Sequence, residues 1–219
     1  MKKIALIIAL FLITFKLFSQ DCSQYIFMKK NRIIESTCYD EKGNILRKVT
    51  STVADVTTTS GTTTATVVSE FLDKSGKPNG KRTIYYKCNG GKFMMDIEPV
   101  NQQKGDANVK LNVGSMEYPS GMKVGDHLND VNSEMEKKIG GSTMVVNSQI
   151  TDRTVVGKEN ITTPAGSWNC FKITYKTTVT MKGNKMPPQA IESTEWFAPN
   201  FGIIKFQLIG MTTEITGLR

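Results

Sequence analysis

From residue 31 onward, hydrophobic and polar positions mostly alternate with a period of two, in runs broken by Gly, Asn, Asp and Pro. A period of two sends successive side chains to opposite faces of an extended backbone, so the pattern predicts strands. Asn31–Tyr39, Ile45–Val56 and Thr62–Leu72 are the first three, with turns at 40–44 and 57–61. Nine of the seventeen residues from Thr50 to Thr66 are threonine. Its β-branched side chain suits extended backbone, and interleaved valines make this tract a strand pair and not a low-complexity linker. The turn-rich DKSGKPNG segment at 73–80 is a loop. Arg82–Cys88 and Lys92–Glu98 flank Asn89-Gly90-Gly91, a hairpin signal.

Residues 99–126 read as an irregular loop region with one weak strand near Asn108–Val113. Residues 128–139 are ambiguous. Leu128, Val131, Met135 and Ile139 lie near helical spacing, but Ser133–Ile139 also fits a strand ending at Gly140-Gly141. Extended signals then return at Thr143–Thr162, Trp168–Met181, Ala190–Phe197 and Ile203–Ile215. In the second of these, Phe171, Ile173, Tyr175, Val179 and Met181 share one face, while Lys172, Thr174, Lys176 and Thr178 share the other. Such a division predicts a sheet packed on one side. The predicted fold is all-β: a single domain over 21–219, of roughly ten mostly antiparallel meander strands with little helix. A sheet of that size must curl, split or close, giving a curved sheet or partly open barrel.

The first twenty residues change the picture of where this chain goes. MKK precedes an apolar run from Ile4 to Phe15, and Phe18-Ser19-Gln20 forms a polar exit. This order predicts a secretory signal peptide over 1–20. The run is shorter than a spanning helix needs, so no transmembrane segment is expected after cleavage. Ser19-Gln20-Asp21 before Cys22 fits a lipoprotein box badly. The mature chain is expected in the periplasm, outside the cell or at its surface. Cleavage removes Lys2, Lys3 and Lys16, which takes 28 basic residues to 25 against 20 acidic, a net charge of about +5. The basic residues are scattered without an aromatic-interleaved stripe, which argues against nucleic acid as a partner.

Four cysteines remain: Cys22, Cys38, Cys88 and Cys170. An even count in an oxidising compartment suggests two disulfides, with three possible connectivities. In an up-and-down meander, Cys22 and Cys88 fall at one end of the sheet and Cys38 at the other. Cys22–Cys88 is therefore the expected pair.

Reactive chemistry finds few residues to use. His127 is the one histidine, and no GxSxG elbow accompanies it. A serine hydrolase needs a base beside its nucleophile. Asp96 and Glu98 would share a strand face at a spacing open to glycoside hydrolysis, but that spacing is commonplace and a solvated face is much the better explanation. Glu192 and Glu195 would point to opposite faces. No calcium loop, zinc spacing or cofactor motif is present, so neither metal nor cofactor is expected.

Several segments resemble a known pattern: Gly157-Lys158-Glu159, Thr162-Thr163-Pro164-Ala165-Gly166, Cys170-Phe171-Lys172-Ile173, Glu195-Trp196-Phe197-Ala198-Pro199 and Phe201-Gly202-Ile203-Ile204-Lys205. Asp21-Cys22 and Cys88-Asn89-Gly90-Gly91 agree more loosely. The pattern is that of the TapB-like family of uncharacterised secreted bacterial β-proteins. That family is similar in architecture to the half-barrels of periplasmic lipoprotein carriers, and the resemblance implies a concave apolar face. The expectation is a non-catalytic protein binding a lipid, another apolar small molecule or a partner on that face, lined by Phe171, Ile173, Tyr175, Val179, Ile204, Phe206 and Leu208. A structural envelope component, pairing with an envelope protein through edges or loops, is the alternative. An unrecognised hydrolase ranks behind both.

Overall fold

A computed structural model describes residues 22–97, 109–182 and 188–219. The predicted leader, Glu98 and the first part of the predicted loop lie outside these residues.

Among the described residues, thirteen antiparallel strands form one sheet. They are β1 (Ile33–Tyr39), β2 (Ile45–Thr59), β3 (Thr62–Asp73), β4 (Pro78–Asn89), β5 (Lys92–Ile97), β6 (Val109–Asn112), β7 (Gly114–Pro119), β8 (Val131–Ile139), β9 (Ser142–Thr163), β10 (Gly166–Met181), β11 (Ala190–Ala198), β12 (Gly202–Leu208) and β13 (Met211–Leu218). The meander prediction holds; the count is thirteen and not ten. The segment read as one strand, Ile203–Ile215, is two, because Ile209 and Gly210 both take positive φ and fold it into a hairpin. Gly114–Pro119 is a strand inside the predicted loop region, and 131–139 resolves as a strand.

Sheet order shows how the barrel closes. It runs β6-β8-β9-β10-β11-β12-β13-β1-β2-β3-β4-β5-β7. Its two end strands, β6 and β7, are separated by Val113 alone. The chain therefore steps from one edge of the sheet to the other within a residue, which brings the edges side by side. Gly114 sits at this seam, where an added Cβ would overlap the Asn132 carbonyl oxygen. Ser133 Oγ accepts from the Gly114 N–H at 3.0 Å and donates to the Ile97 carbonyl at 2.9 Å, tying β8 to the β5–β7 side.

An up-and-down barrel has two rims. At one, Cys22 is bonded to Cys88 at the end of β4. The 66-residue separation predicts about 4 kcal/mol of stabilisation from chain entropy. Two short 3-10 turns, Cys22–Gln24 and Ile26–Met28, follow and fill this end of the interior. Tyr25 stacks on Phe93 at 4.4 Å and Phe27 on Tyr86 at 4.3 Å. Gly202 has φ +125, and a Cβ there would press on the Phe27 ring. The expectation of two disulfides needs correction, since Cys38 and Cys170 are buried free thiols. They sit on β1 and β10, with β13, β12 and β11 between them in the sheet, too far apart to bridge. Burial pushes the Cys170 thiol up to about 12.

Candidate functional site

The disulfide half of the interior is packed with aromatic rings, and the far half is not. Cross-strand pairing identifies the inward side chains. Phe206 faces the buried Glu195, and Leu208 faces the buried Ser193. Val49 faces Phe71, on the same side as Val53 and Val67, which are fully buried. Thr177 pairs with Ile150 on one side and Ile191 on the other. Yet Val49, Phe71, Val146, Ile191, Phe206 and Leu208 are all only half-buried. An inward side chain of a barrel reaches solvent through the interior, so among the described residues the far half is less completely filled than the disulfide half.

The seven residues expected to line an apolar face divide between these halves. Phe171, Ile173, Tyr175 and Ile204 are buried among core side chains. Phe206 and Leu208 line the less filled half. Val179 keeps the inward register, pairing with Ser148, but stands at the rim and is 51% exposed. The face is therefore filled core at one end and less filled at the other.

Between the halves lies a polar cluster that sequence alternation did not reveal. Arg153 and Glu195 are each 1% exposed. Their closest charged atoms, Nη2 and Oε1, are 3.7 Å apart. Tyr118 donates to Glu195 Oε2 at 3.1 Å and Tyr175 at 3.5 Å. Tyr118 also stacks on Phe197 at 4.3 Å and lies under the Arg153 guanidinium. Arg153 Nε, Ser193 Oγ and Glu195 Oε1 make no hydrogen bond. Desolvation therefore outweighs the guanidinium's attraction, and the Glu195 carboxyl is pushed up to about 7. Both tyrosines are held well above their ordinary range, first by burial and then by the carboxylate beside them.

Arg153 has a clear mechanical role. Its Nη1 donates to the Glu117 carbonyl of β7 at 3.3 Å and the Asn129 carbonyl before β8 at 3.2 Å. These carbonyls lie on either side of the seam, where no ladder pairs β7 to β8 along their length. The guanidinium's forked donors suit two diverging acceptors. Arg153 thus fastens the barrel from inside, with Glu195 as its counter-charge.

Its inward placement depends on a local irregularity. Strict alternation from Ile150 would turn Asp152 inward and Arg153 outward. Asp152 instead takes φ +57, and β9 carries one extra residue there, Asp152 and Arg153 together standing opposite Tyr175 of β10. Asp152 turns out to pair with Lys176 at 3.0 Å, and Arg153 turns in. A surface mate of this cluster lies on the same sheet. Trp196 donates its indole N–H to Glu159 at 3.0 Å, with Lys172 and Lys205 over its ring. The Lys172 ammonium and the indole hold the Glu159 carboxyl below its ordinary value.

Other residues considered for chemistry sit apart. Asp96 accepts from Lys87 at 2.7 Å and from Ser115, and Glu98 lies outside the described residues. His127 Nδ1 meets Thr154 Oγ1 at 3.1 Å in a loop that pairs against β9. Glu192 is exposed. Among the described residues, no group of three His, Cys, Asp or Glu side chains is placed to hold a metal ion. No helix among them is long and apolar enough to cross a membrane.

These features define a class: a nearly closed antiparallel β-barrel, filled at one rim by its own N-terminal segment and, among the described residues, less filled at the other. The chain belongs to the DUF3108-like family, whose model matches residues 29–207. Two crystal structures share the fold. One is a presumed lipoprotein from Parabacteroides distasonis, 22% identical, with a TM-score of 0.74 over 91% of this chain and 100% of that one. Another is a presumed exported protein with a YmcC-like fold from Bacteroides fragilis, 19% identical, with a TM-score of 0.69 over 89% and 98%. No curated protein matches the chain.

Proposed function

We propose that this is an exported, TapB-like, non-catalytic binding protein that holds an apolar ligand, such as an acyl chain, in the open half of its barrel. The observation that carries this reading is the set of inward apolar side chains, Phe206 and Leu208 among them, that the fold leaves half-buried. A barrel built only for stability gains by covering them, since full burial of one such side chain is worth about 1.5–3 kcal/mol. Export is supported by the leader-like residues 1–20, by a disulfide, and by the descriptions of the two structural relatives.

Native mass spectrometry of protein purified without detergent, followed by organic extraction, tests the proposal. A co-purifying apolar species that leaves on extraction is the expected result. Protein that is empty at every preparation, and that takes up no added fatty acid, would reject it.

A further inference from the structure

The exposed apolar side chains are not spread evenly. Ten large ones are exposed among the described residues. Six of them stand on strand ends or turns of the far rim: Ile45 and Leu46 opening β2, Ile139 closing β8, Val179 and Met181 closing β10, and Ile209 between β12 and β13. The rim that holds the disulfide is already sealed by the N-terminal turns, so this asymmetry marks the mouth of the chamber.

Ile209 is the most telling. It is 65% exposed, with φ +31. A β-branched residue in left-handed backbone is a rare and strained choice, and Asn or Gly is the ordinary occupant of such a hairpin turn. Neither packing nor turn geometry accounts for isoleucine there. Ile139, 54% exposed beside the Gly140-Gly141 turn, repeats the pattern on another hairpin.

Charge on the same turns has one dominant sign. Lys42, Lys74, Lys77, Lys138 and Lys182 are exposed, and none is in an ion pair among the described residues. Three acids accompany them. Asp40 Oδ1 accepts from the N–H groups of Lys42 and Asn44, and Asp73 Oδ1 from those of Ser75 and Lys77, so both carboxylates are turned into their own loops. Glu41 lies against Gly210.

We propose that the far rim docks on a bilayer surface bearing anionic headgroups, with Ile45, Leu46, Ile139, Met181 and Ile209 entering the headgroup boundary and the rim lysines facing lipid phosphates. Apolar insertion and lysine attraction reinforce each other at such a surface. The proposal rests on the chamber reading, because docking this rim brings the chamber's mouth to the acyl chains.

Flotation of the mature protein with vesicles tests it, using phosphatidylcholine alone or mixed with about one third phosphatidylglycerol. The expected result is binding to the mixed vesicles, at least tenfold weaker on phosphatidylcholine alone, and weakened by salt. The double variant Ile139→Asn/Ile209→Asn should lose at least tenfold. Asn accepts the left-handed turn at 209, so the fold is kept. Lys138→Gln/Lys182→Gln should bind less and with a shallower salt dependence. Wild-type protein that stays unbound, or an Ile variant that floats like wild type, would overturn docking. Equal binding to both vesicle types would overturn the anionic requirement. Uptake of an apolar fluorophore in vesicle-free solution separates the two claims. Uptake without flotation sinks docking alone, and flotation without uptake supports docking while sinking the chamber.

Discussion

Replacing Glu195 with Gln isolates the energetic role of the buried cluster. The folded protein holds the Glu195 proton up to about pH 7, whereas an unfolded glutamate releases it near 4.5. Between those values the native state binds more protons than the unfolded chain, so stability falls as pH rises through this window. At 1.36 kcal/mol per pKa unit, the loss is on the order of 3 kcal/mol, complete above pH 7. The physical cause is an ionised carboxylate with one oxygen lacking any hydrogen bond and a guanidinium no closer than 3.7 Å. Gln keeps the shape, accepts from Tyr118 and Tyr175, and does not titrate. Arg153 keeps its bonds to the Glu117 and Asn129 carbonyls. Asp40, Asp55, Asp73 and Glu159, all with lowered pKa values, titrate below this window and are common to both proteins. Urea unfolding at pH 5, 6, 7 and 8 should therefore show Glu195→Gln gaining on wild type by about 2–3 kcal/mol from the lowest to the highest pH, part of the loss having already occurred at pH 5. Parallel pH curves, or a variant that loses ground as pH rises, would mean that Arg153 compensates the charge and that this reasoning is wrong.

Two further variants probe the barrel's closure. Cys88→Ser should lower unfolding free energy by about 4 kcal/mol; an equal change on adding a thiol reductant to wild type, and none in the variant, checks that the Cys22 bridge is responsible. Gly114→Ala should cost about 1–3 kcal/mol by denaturant unfolding, because the new methyl meets the Asn132 backbone, which cannot turn aside. An unchanged midpoint would show that the seam between β7 and β8 is looser than described.

Much of this fold is legible in the alternation of residues. The long runs of β9 and β10, the threonine-rich β2–β3 hairpin and the Asn89-Gly90-Gly91 turn announce themselves because one periodicity serves both local conformation and packing. Strand polarity also carries global information: counting ends places Cys22 and Cys88 together, as in the structure. What alternation cannot show is where it breaks. Arg153 is inward only because Asp152 leaves the extended region, and no residue type there signals a bulge. Ile209 hides a turn because isoleucine ordinarily continues a strand. The plug at Tyr25–Met28 escapes notice because 3-10 turns leave no lasting period. The apolar face on Phe171, Ile173 and Tyr175 is readable as a face. Its division into filled and less filled halves depends on the distant N-terminal segment that fills one end.

The account turns on whether the open half of the barrel accepts an apolar guest, and titration with N-phenyl-1-naphthylamine measures this most directly. Its fluorescence should rise saturably with wild-type protein, be reversed by a long-chain fatty acid, and fall at least tenfold with Leu208→Asp, a half-buried site whose substitution places charge in the chamber and leaves the filled core intact. No saturable signal from folded wild-type protein, or an undiminished one from the variant, would contradict it.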